Sequence, residues 1–253
     1  MESSIKTGAV LKNSVLQALD KFGWLTADQV GHACFAHSKN PGVRARLKLR
    51  QMQERGEVEG VWTSEATRAW TLRGAGRRAL ESTGERTAKT DKKASVHHAI
   101  EHTAAATWTA LTQGDRGWNE YSVLTGQAPV GKAGFLGKVP DALYAIGSEL
   151  IWVEVEQAWK NKENRAKLLD FAAAALSSGP KMIEIGDYAL SRIEIVCTNA
   201  SALRAMGRTV KDYATHLKPM QLALLQLTLQ EIRPGLALGA RRGTWSAQEF
   251  LDI

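Results

Sequence analysis

The N-terminal part of the chain repeats apolar residues with the period of an α-helix. Leu11, Val15 and Leu19 recur every four residues and predict an amphipathic first helix. The segment LTADQV then places Thr26 three residues before Gln29, which is the spacing of a capping box. A second, short helix is therefore expected to begin at this point.

The pattern that follows predicts a third helix and a hairpin. The third helix has Pro41 in its first turn and ends at Gly56, and two short strands follow it, Val58 to Thr63 and Ala69 to Leu72. The segment GAGRRALES predicts a small closing helix. Three short helices followed by a hairpin are the order of a winged helix-turn-helix domain.

The predicted third helix separates apolar from polar positions. The apolar positions that can face the other helices are Ala45, Leu49 and Met52. The polar positions that we expect to contact DNA are Arg44, Lys48, Gln51 and Arg55 in one stripe, with Arg46 and Arg50 beside it. A recognition helix needs one face for packing and another for phosphates and base edges. The alternative interpretation is an ordinary exposed basic helix.

Beyond residue 95, helical and strand patterns alternate. A helix over VHHAIEHTAAATWTAL is followed by predicted strands over ALYAIG, ELIWVEVEQ and SRIEIVCT and by helices over ENRAKLLDFAAAAL and ASALRAMGRTVKDYA. This order predicts an α/β domain with helices over a central mixed sheet. The expected organisation is a DNA-binding domain over residues 1–80, a polar linker over 81–95 and the second domain over 96–253.

Composition and charge support this division. The 253 residues are 44% hydrophobic and 23% charged, and no apolar run approaches the ~20 residues that span a bilayer. Residues 1–95 contain 17 Lys and Arg against 10 Asp and Glu, whereas the remainder has 16 against 16, so the net +7 belongs to the first segment. A cationic segment suits double-stranded DNA as a partner. Only Cys34 and Cys197 occur, and a cytoplasmic protein without disulfides is expected.

Acidic residues converge in the segment KVPDALYAIGSELIWVEVEQ. Asp141 precedes one predicted strand, and Glu154 and Glu156 lie two residues apart on the next, which puts both on one face. Three carboxylates at one strand end predict a site for Mg²⁺ or Mn²⁺, with a lysine nearby to stabilise phosphate charge. Lys160, Lys162 and Lys167 are the lysine candidates. An exposed acidic strand end is the alternative.

The motif PD…EVE resembles that of the PD-(D/E)XK nuclease superfamily, which has the restriction-endonuclease-like fold. More narrowly, a winged helix followed by PDAL…IWVEVEQAWKNKENRAKLLDF and RIEIVCTNASALRAM resembles the replication–relaxation family of plasmid proteins. The resemblance covers most of the chain and implies a metal-dependent relaxase that nicks DNA. It implies Asp141 and Glu154 as metal ligands and Glu101 as a further acidic residue.

The sequence departs from the superfamily motif at one position. The motif has lysine where this chain has Glu156. Either the lysine role has moved to the next helix, with Lys167 the expected residue, or the domain is a degenerate nuclease. In the second case the protein is a replication or transcription regulator that uses the domain for dimerisation or for binding another plasmid or mobile-element protein.

Other polar residues give weaker signals. His98 and His102 have a spacing found in metal sites, but a solvated helix face is the favoured interpretation. The loop GKAGFLGK is no phosphate-binding P-loop, although Lys132 and Lys138 are candidates for phosphate contacts. Arg241 and Arg242 are interpreted as phosphate contacts or as surface residues.

Overall fold

A computed structural model of the chain describes residues 2–84, 99–157, 161–177 and 183–251. It divides into two compact units, Met1–Ile100 with Thr125–Gln127, and Glu101–Leu124 with Ala128–Ile253. Most of the predicted linker, together with His97, His98 and Lys160, lies outside the described residues. Within the described ranges, no helix combines the length and apolar character that crossing a membrane requires.

The first unit contains helices around a small antiparallel sheet. Its elements are α1 (Glu2–Phe22), β1 (Trp24–Thr26), α2 (Ala27–Phe35), α3 (Pro41–Glu54), β2 (Val58–Trp62), β3 (Arg68–Leu72) and α4 (Gly74–Glu81). The strand order is β1-β3-β2, so the hairpin of β2 and β3 is extended by the short strand before α2. The helices and the hairpin were predicted, whereas β1 was not.

Local signals in the sequence set the ends of these elements. The Thr26 hydroxyl accepts from the backbone N–H of Gln29, and the Gln29 side chain accepts from the Thr26 N–H, which completes the predicted capping box. Gly56 has a φ of 68° directly after α3, a conformation that glycine adopts without steric cost. The chain can therefore reverse direction there and enter β2.

Helices α2 and α3 approach each other at the level of the backbone. A Cβ atom at Gly31 would lie 2.8 Å from the backbone N of Gly42, a distance too short for real Cβ contacts. On the same face as Gly42, α3 buries Ala45, Leu49 and Met52 completely. Glycine at position 31 and these three side chains thus fix the orientation of α3 within the unit.

The second unit is built on a seven-stranded mixed sheet. Its strands are β4 (Arg116–Asn119), β5 (Ala142–Ile146), β6 (Glu149–Glu156), β7 (Glu184–Ile185), β8 (Tyr188–Cys197), β9 (Leu225–Arg233) and β10 (Ala237–Ser246). The order is β10-β9-β8-β6-β5-β4, with β7 paired to β8. Strands β6, β8 and β9 are parallel, and antiparallel strands flank them on both sides. The predicted mixed sheet is present.

Helices accompany this sheet along the chain. They are α5 (Ile100–Thr112), α6 (Glu120–Leu124), α7 (Lys162–Ala175), α8 (Ala200–Tyr213), α9 (Pro219–Leu224) and α10 (Ala247–Leu251). The main core places Trp152 and Ile193 of the sheet among Leu169 of α7 and Met206 of α8. The other side of the sheet contacts α5, where Asn119 donates a hydrogen bond to the Thr107 hydroxyl.

A buried carboxylate joins several strands on the α5 side of the sheet. Glu194 of β8 is fully buried and accepts hydrogen bonds from the hydroxyls of Tyr144 and Thr228. Nη2 of Arg241 lies 2.7 Å from its Oε1. Burial and the charge of Glu194 raise the pKa of Tyr144 well above its usual range. Side chains from β5, β8, β9 and β10 thus meet at one carboxylate. Arg241, which the sequence suggested as a phosphate contact or a surface residue, pairs with Glu194 inside the protein.

Candidate functional site

Asp141 is positioned at the start of β5 by a contact with the neighbouring strand. The backbone N–H of Val155 donates to its Oδ2 across 2.7 Å, and Ala142 pairs with Val153 in the antiparallel register. Nε2 of His102, on α5, lies 3.2 Å from the same oxygen. The carboxylate is therefore held beside the C-terminal end of β6.

Glu154 lies on β6 next to Asp141 and is only 3% exposed. The indole N–H of Trp152 donates to its Oε1 across 2.7 Å. The ammonium of Lys138 lies 2.9 Å from its Oε2. Both oxygens thus have strong donors, and one of these donors is a cation.

The surroundings of Glu154 oppose its ionisation. Burial, followed by the negative charge of Asp141, raises the pKa of Glu154 to about 7, although Lys138 and Trp152 act in the opposite direction. Because Ala142 pairs with Val153 in antiparallel register, Asp141 lies beside Glu154, where the two charges can interact. Such a pair favours a bound proton or cation at neutral pH.

A tight turn brings Lys138 to this place. Phe135 and Lys138 exchange backbone hydrogen bonds around Leu136 and Gly137, and both of these residues have positive φ. The Lys138 ammonium also lies 5.8 Å from the centre of the Phe171 ring on α7. The turn and the ring direct this lysine towards the carboxylates.

The other predicted acidic residues lie around the pair. Glu156 is fully buried, and the unshifted register from Ile151 onward puts it on the same face as Glu154, about 7 Å further along the strand. Glu101 on α5 is exposed, and Nε2 of Gln157 lies 3.5 Å from its Oε2. The structure therefore brings Glu101 to the end of β6, where it contacts Gln157.

Lys167 occupies a different environment from the one predicted for it. Its ammonium forms an ion pair of 2.9 Å with Glu163 one turn earlier on α7, and both side chains are largely exposed. Among the described residues, the lysine that pairs with Glu154 is Lys138, which the sequence suggested only as a phosphate contact. Because this contact depends on a turn far from β6 in sequence, the motif alone does not reveal it.

The acidic residues do not form a larger cluster. Within the described ranges, no group of three or more His, Cys, Asp or Glu side chains is arranged to hold a metal ion. Asp141 and Glu154 are the two carboxylates that the structure places side by side. The three-carboxylate set with Glu156 stays a prediction.

The first unit presents a second candidate surface on α3. Arg46 and Arg50 lie on the flank of the helix that faces the hairpin, and Arg44, Gln51 and Arg55 are exposed on the opposite flank. Between the flanks, Val43 and Leu47 are half exposed, at 50% and 54%. The exposed part of α3 thus combines cations, an amide and small apolar groups.

A cavity of about 310 Å³ lies between α3 and the hairpin. Arg46 and Arg50 line it from the helix, and Trp62 and Arg68 line it from the hairpin. The Arg68 guanidinium lies 4.8 Å from the centre of the Trp62 ring, and this indole is 60% exposed. Trp62 and Arg68 were not predicted as site residues, although exposed aromatic and basic residues in a short hairpin are a usable signal.

Two of the predicted DNA contacts already have partners within the first unit. Arg46 forms an ion pair of 2.9 Å with Asp28 of α2. Lys48 donates to the backbone oxygen of Gly8 across 3.3 Å, and burial together with the charge of Arg55 lowers its pKa. Lys48 therefore contacts α1 and is less available for DNA than the exposed arginines of α3.

Comparison of the chain with protein-family models, with curated proteins and with solved structures finds no match.

Proposed function

We propose that the chain binds duplex DNA through its first unit, which would act as a winged helix-turn-helix domain. The observation that supports this best is the cavity between α3 and the hairpin, which three arginines and an exposed tryptophan line. In this proposal α3 enters the major groove. Its arginines and Gln51 contact phosphates and base edges, and Val43 and Leu47 contact thymine methyl groups. The hairpin with Trp62 and Arg68 contacts the adjoining backbone.

The second unit would act on the bound DNA as a PD-(D/E)XK nuclease-like domain. The support is the juxtaposition of Asp141 and Glu154 on adjacent strands with Lys138, which lies on the turn that precedes β5. A sequence-specific nickase of the plasmid or mobile-element type, similar to the replication–relaxation proteins, accounts for both units together.

The two neighbouring carboxylates fit a hard divalent cation. A bound positive charge would offset both their mutual repulsion and the free-energy cost of ionising the buried Glu154. Asp141 and Glu154 would hold Mg²⁺ or Mn²⁺, which would supply charge neutralisation and a more acidic water. In the proposed hydrolysis, a water oxygen bonds to phosphorus while one ester P–O bond breaks, and the proton that the water loses is balanced by the proton that the leaving oxygen gains. The Lys138 ammonium would stabilise the charge on the phosphate oxygens.

The second candidate function is a DNA-binding regulator with a degenerate nuclease domain. The observation that favours it is the direct ion pair between Lys138 and Glu154, because this pair already neutralises one of the two proposed ligands. Such a protein would bind DNA without cleaving it and use the second unit for self-association or for a protein partner.

Nicking of supercoiled plasmid in Mg²⁺ or Mn²⁺ separates the two candidates. The nickase should convert supercoiled to open-circular DNA, and Asp141→Ala and Lys138→Met should each reduce the rate at least 100-fold, in line with the cost of removing a single electrostatic contact. Lys167→Ala, which removes a lysine of the same domain with an exposed partner, should leave the rate unchanged. Binding without nicking in either metal would support the regulator.

A further inference from the structure

A second basic groove lies in the nuclease-like unit, between α7 and α8. The residues that line a cavity of about 290 Å³ there are Lys162, Arg165, Ala205, Arg208, Thr209, Lys211 and Asp212. Four of these side chains are cationic and one is anionic, which leaves a local charge of +3. This unit as a whole has balanced charge, so the groove is a local concentration of cations.

The groove is partly preorganised. Nε of Arg165 donates to the hydroxyl of Thr209 across 3.1 Å, and this hydroxyl donates in turn to the backbone oxygen of Ala205. The ammonium of Lys162 lies 2.6 Å from Asp212. These contacts hold both cations of α7 against α8, whereas Arg208 and Lys211 of α8 are exposed at the rim.

The groove begins a short distance along the chain from the carboxylate pair. Lys162 follows Glu156 by six residues, so their Cα atoms are at most about 21 Å apart. This is within the length of a few nucleotides of a DNA strand. A strand whose phosphate reaches Asp141 and Glu154 can therefore place a neighbouring phosphate at the start of α7.

We propose that the α7–α8 groove binds the backbone phosphates of a DNA strand that extends from the carboxylate site. Among the described residues that line the groove none has an aromatic ring for stacking a base, and the four cations favour a sugar–phosphate backbone as the ligand. The inference rests on the proposed function, because it assumes that DNA is the ligand of the chain.

The full-length protein with Arg208→Ala and Lys211→Ala tests this assignment. Affinity for a short random-sequence duplex is measured by fluorescence anisotropy over a series of salt concentrations. The double variant should bind about tenfold more weakly than wild type at moderate salt, and its log–log salt slope should decrease by about 1 to 2, since each lost phosphate contact contributes about 0.9. Lys218→Ala with Arg233→Ala removes the same charge from exposed positions outside the groove and should have a smaller effect.

Amine labelling of the wild-type protein locates the contact directly. The duplex should protect Lys211 from an amine-reactive reagent and leave Lys218 reactive. Equal protection of Lys211 by inorganic phosphate at the same phosphate concentration would overturn the assignment to a strand. Binding of the duplex with an unchanged slope in the groove variant would overturn the site alone, whereas wild-type protein that binds no duplex would overturn the site and the proposed function together.

Discussion

The ammonium of Lys138 lies 2.9 Å from Oε2 of Glu154, a carboxylate whose side chain is almost completely buried. The charge of this lysine does not fully compensate burial and the neighbouring Asp141, since the pKa of Glu154 is raised to about 7. In the folded protein Glu154 therefore holds a proton over a pH range where it is ionised in the unfolded chain. This difference has a consequence for stability.

We expect Glu154 to make the protein less stable as pH rises through this range. The stabilisation from protonated Glu154 is fully present below the unfolded pKa of about 4.3. It decreases as pH rises from there to about 7, and it does not change further at higher pH. Glu154→Gln should abolish this decline, so the free energy of unfolding of the variant relative to wild type should rise by roughly 3 to 4 kcal/mol between pH 4 and pH 8. Urea unfolding at several pH values in the presence of a chelator measures both curves. Parallel curves for the two proteins would contradict the assignment.

We expect a large loss of stability when the cation that pairs with Glu194 is removed. Arg241→Met leaves a fully buried charge without its guanidinium partner, and the free energy of unfolding should fall by about 3 kcal/mol. Arg242→Ala is the matched control, because Arg242 pairs with Glu231 at the surface and its removal should cost less than about 1 kcal/mol. Chemical denaturation at neutral pH compares them, and equal losses would show that Glu194 is stabilised without Arg241.

The two flanks of α3 predict unequal contributions to DNA binding. Arg50 is exposed and lines the cavity beside the hairpin, whereas Lys48 donates to Gly8 and is partly buried. Arg50→Ala should weaken binding to a short duplex about tenfold and decrease the salt slope by about 1. Lys48→Ala should change the slope less and instead lower stability slightly. Anisotropy and thermal unfolding separate the two, and a larger slope change for Lys48→Ala would reverse the assigned orientation of α3.

Local signals made the first unit predictable. The capping box at Thr26, Pro41 in the first turn of α3 and Gly56 at its end all act within a few residues, and the structure has these elements close to the expected bounds. Strand β1 was missed because three residues are too short for a periodic pattern and pair only with the distant β3.

Strands β9 and β10, at one edge of the large sheet, were not predicted from the sequence. In β9 the leucines at 225, 227 and 229 alternate with polar residues, which is a usable strand signal. In β10 the register shifts on both sides of Arg241, so alternation is interrupted and the pattern is hidden.

The carboxylate pair was predictable, whereas its lysine was not. Asp141 and Glu154 follow from strand ends that adjoin in an antiparallel pair. The position of Lys138 depends on the path of the turn at Leu136 and Gly137, which no periodicity encodes. The same limitation applies to Lys167, whose direction on α7 is decided by its neighbour Glu163.

The close approach of α2 and α3 at Gly31 separates the residues that orient α3 from the residues that α3 exposes. Because backbone contact and three buried side chains orient α3, its exposed residues have little part in holding the helix in place. Positions such as Val43, Leu47 and Gln51 can therefore change without moving the helix. In the proposed DNA-binding mode, substitutions at these positions would change the contacts to bases and leave the position of α3 unchanged, whereas a side chain at position 31 would have to displace the backbone at Gly42.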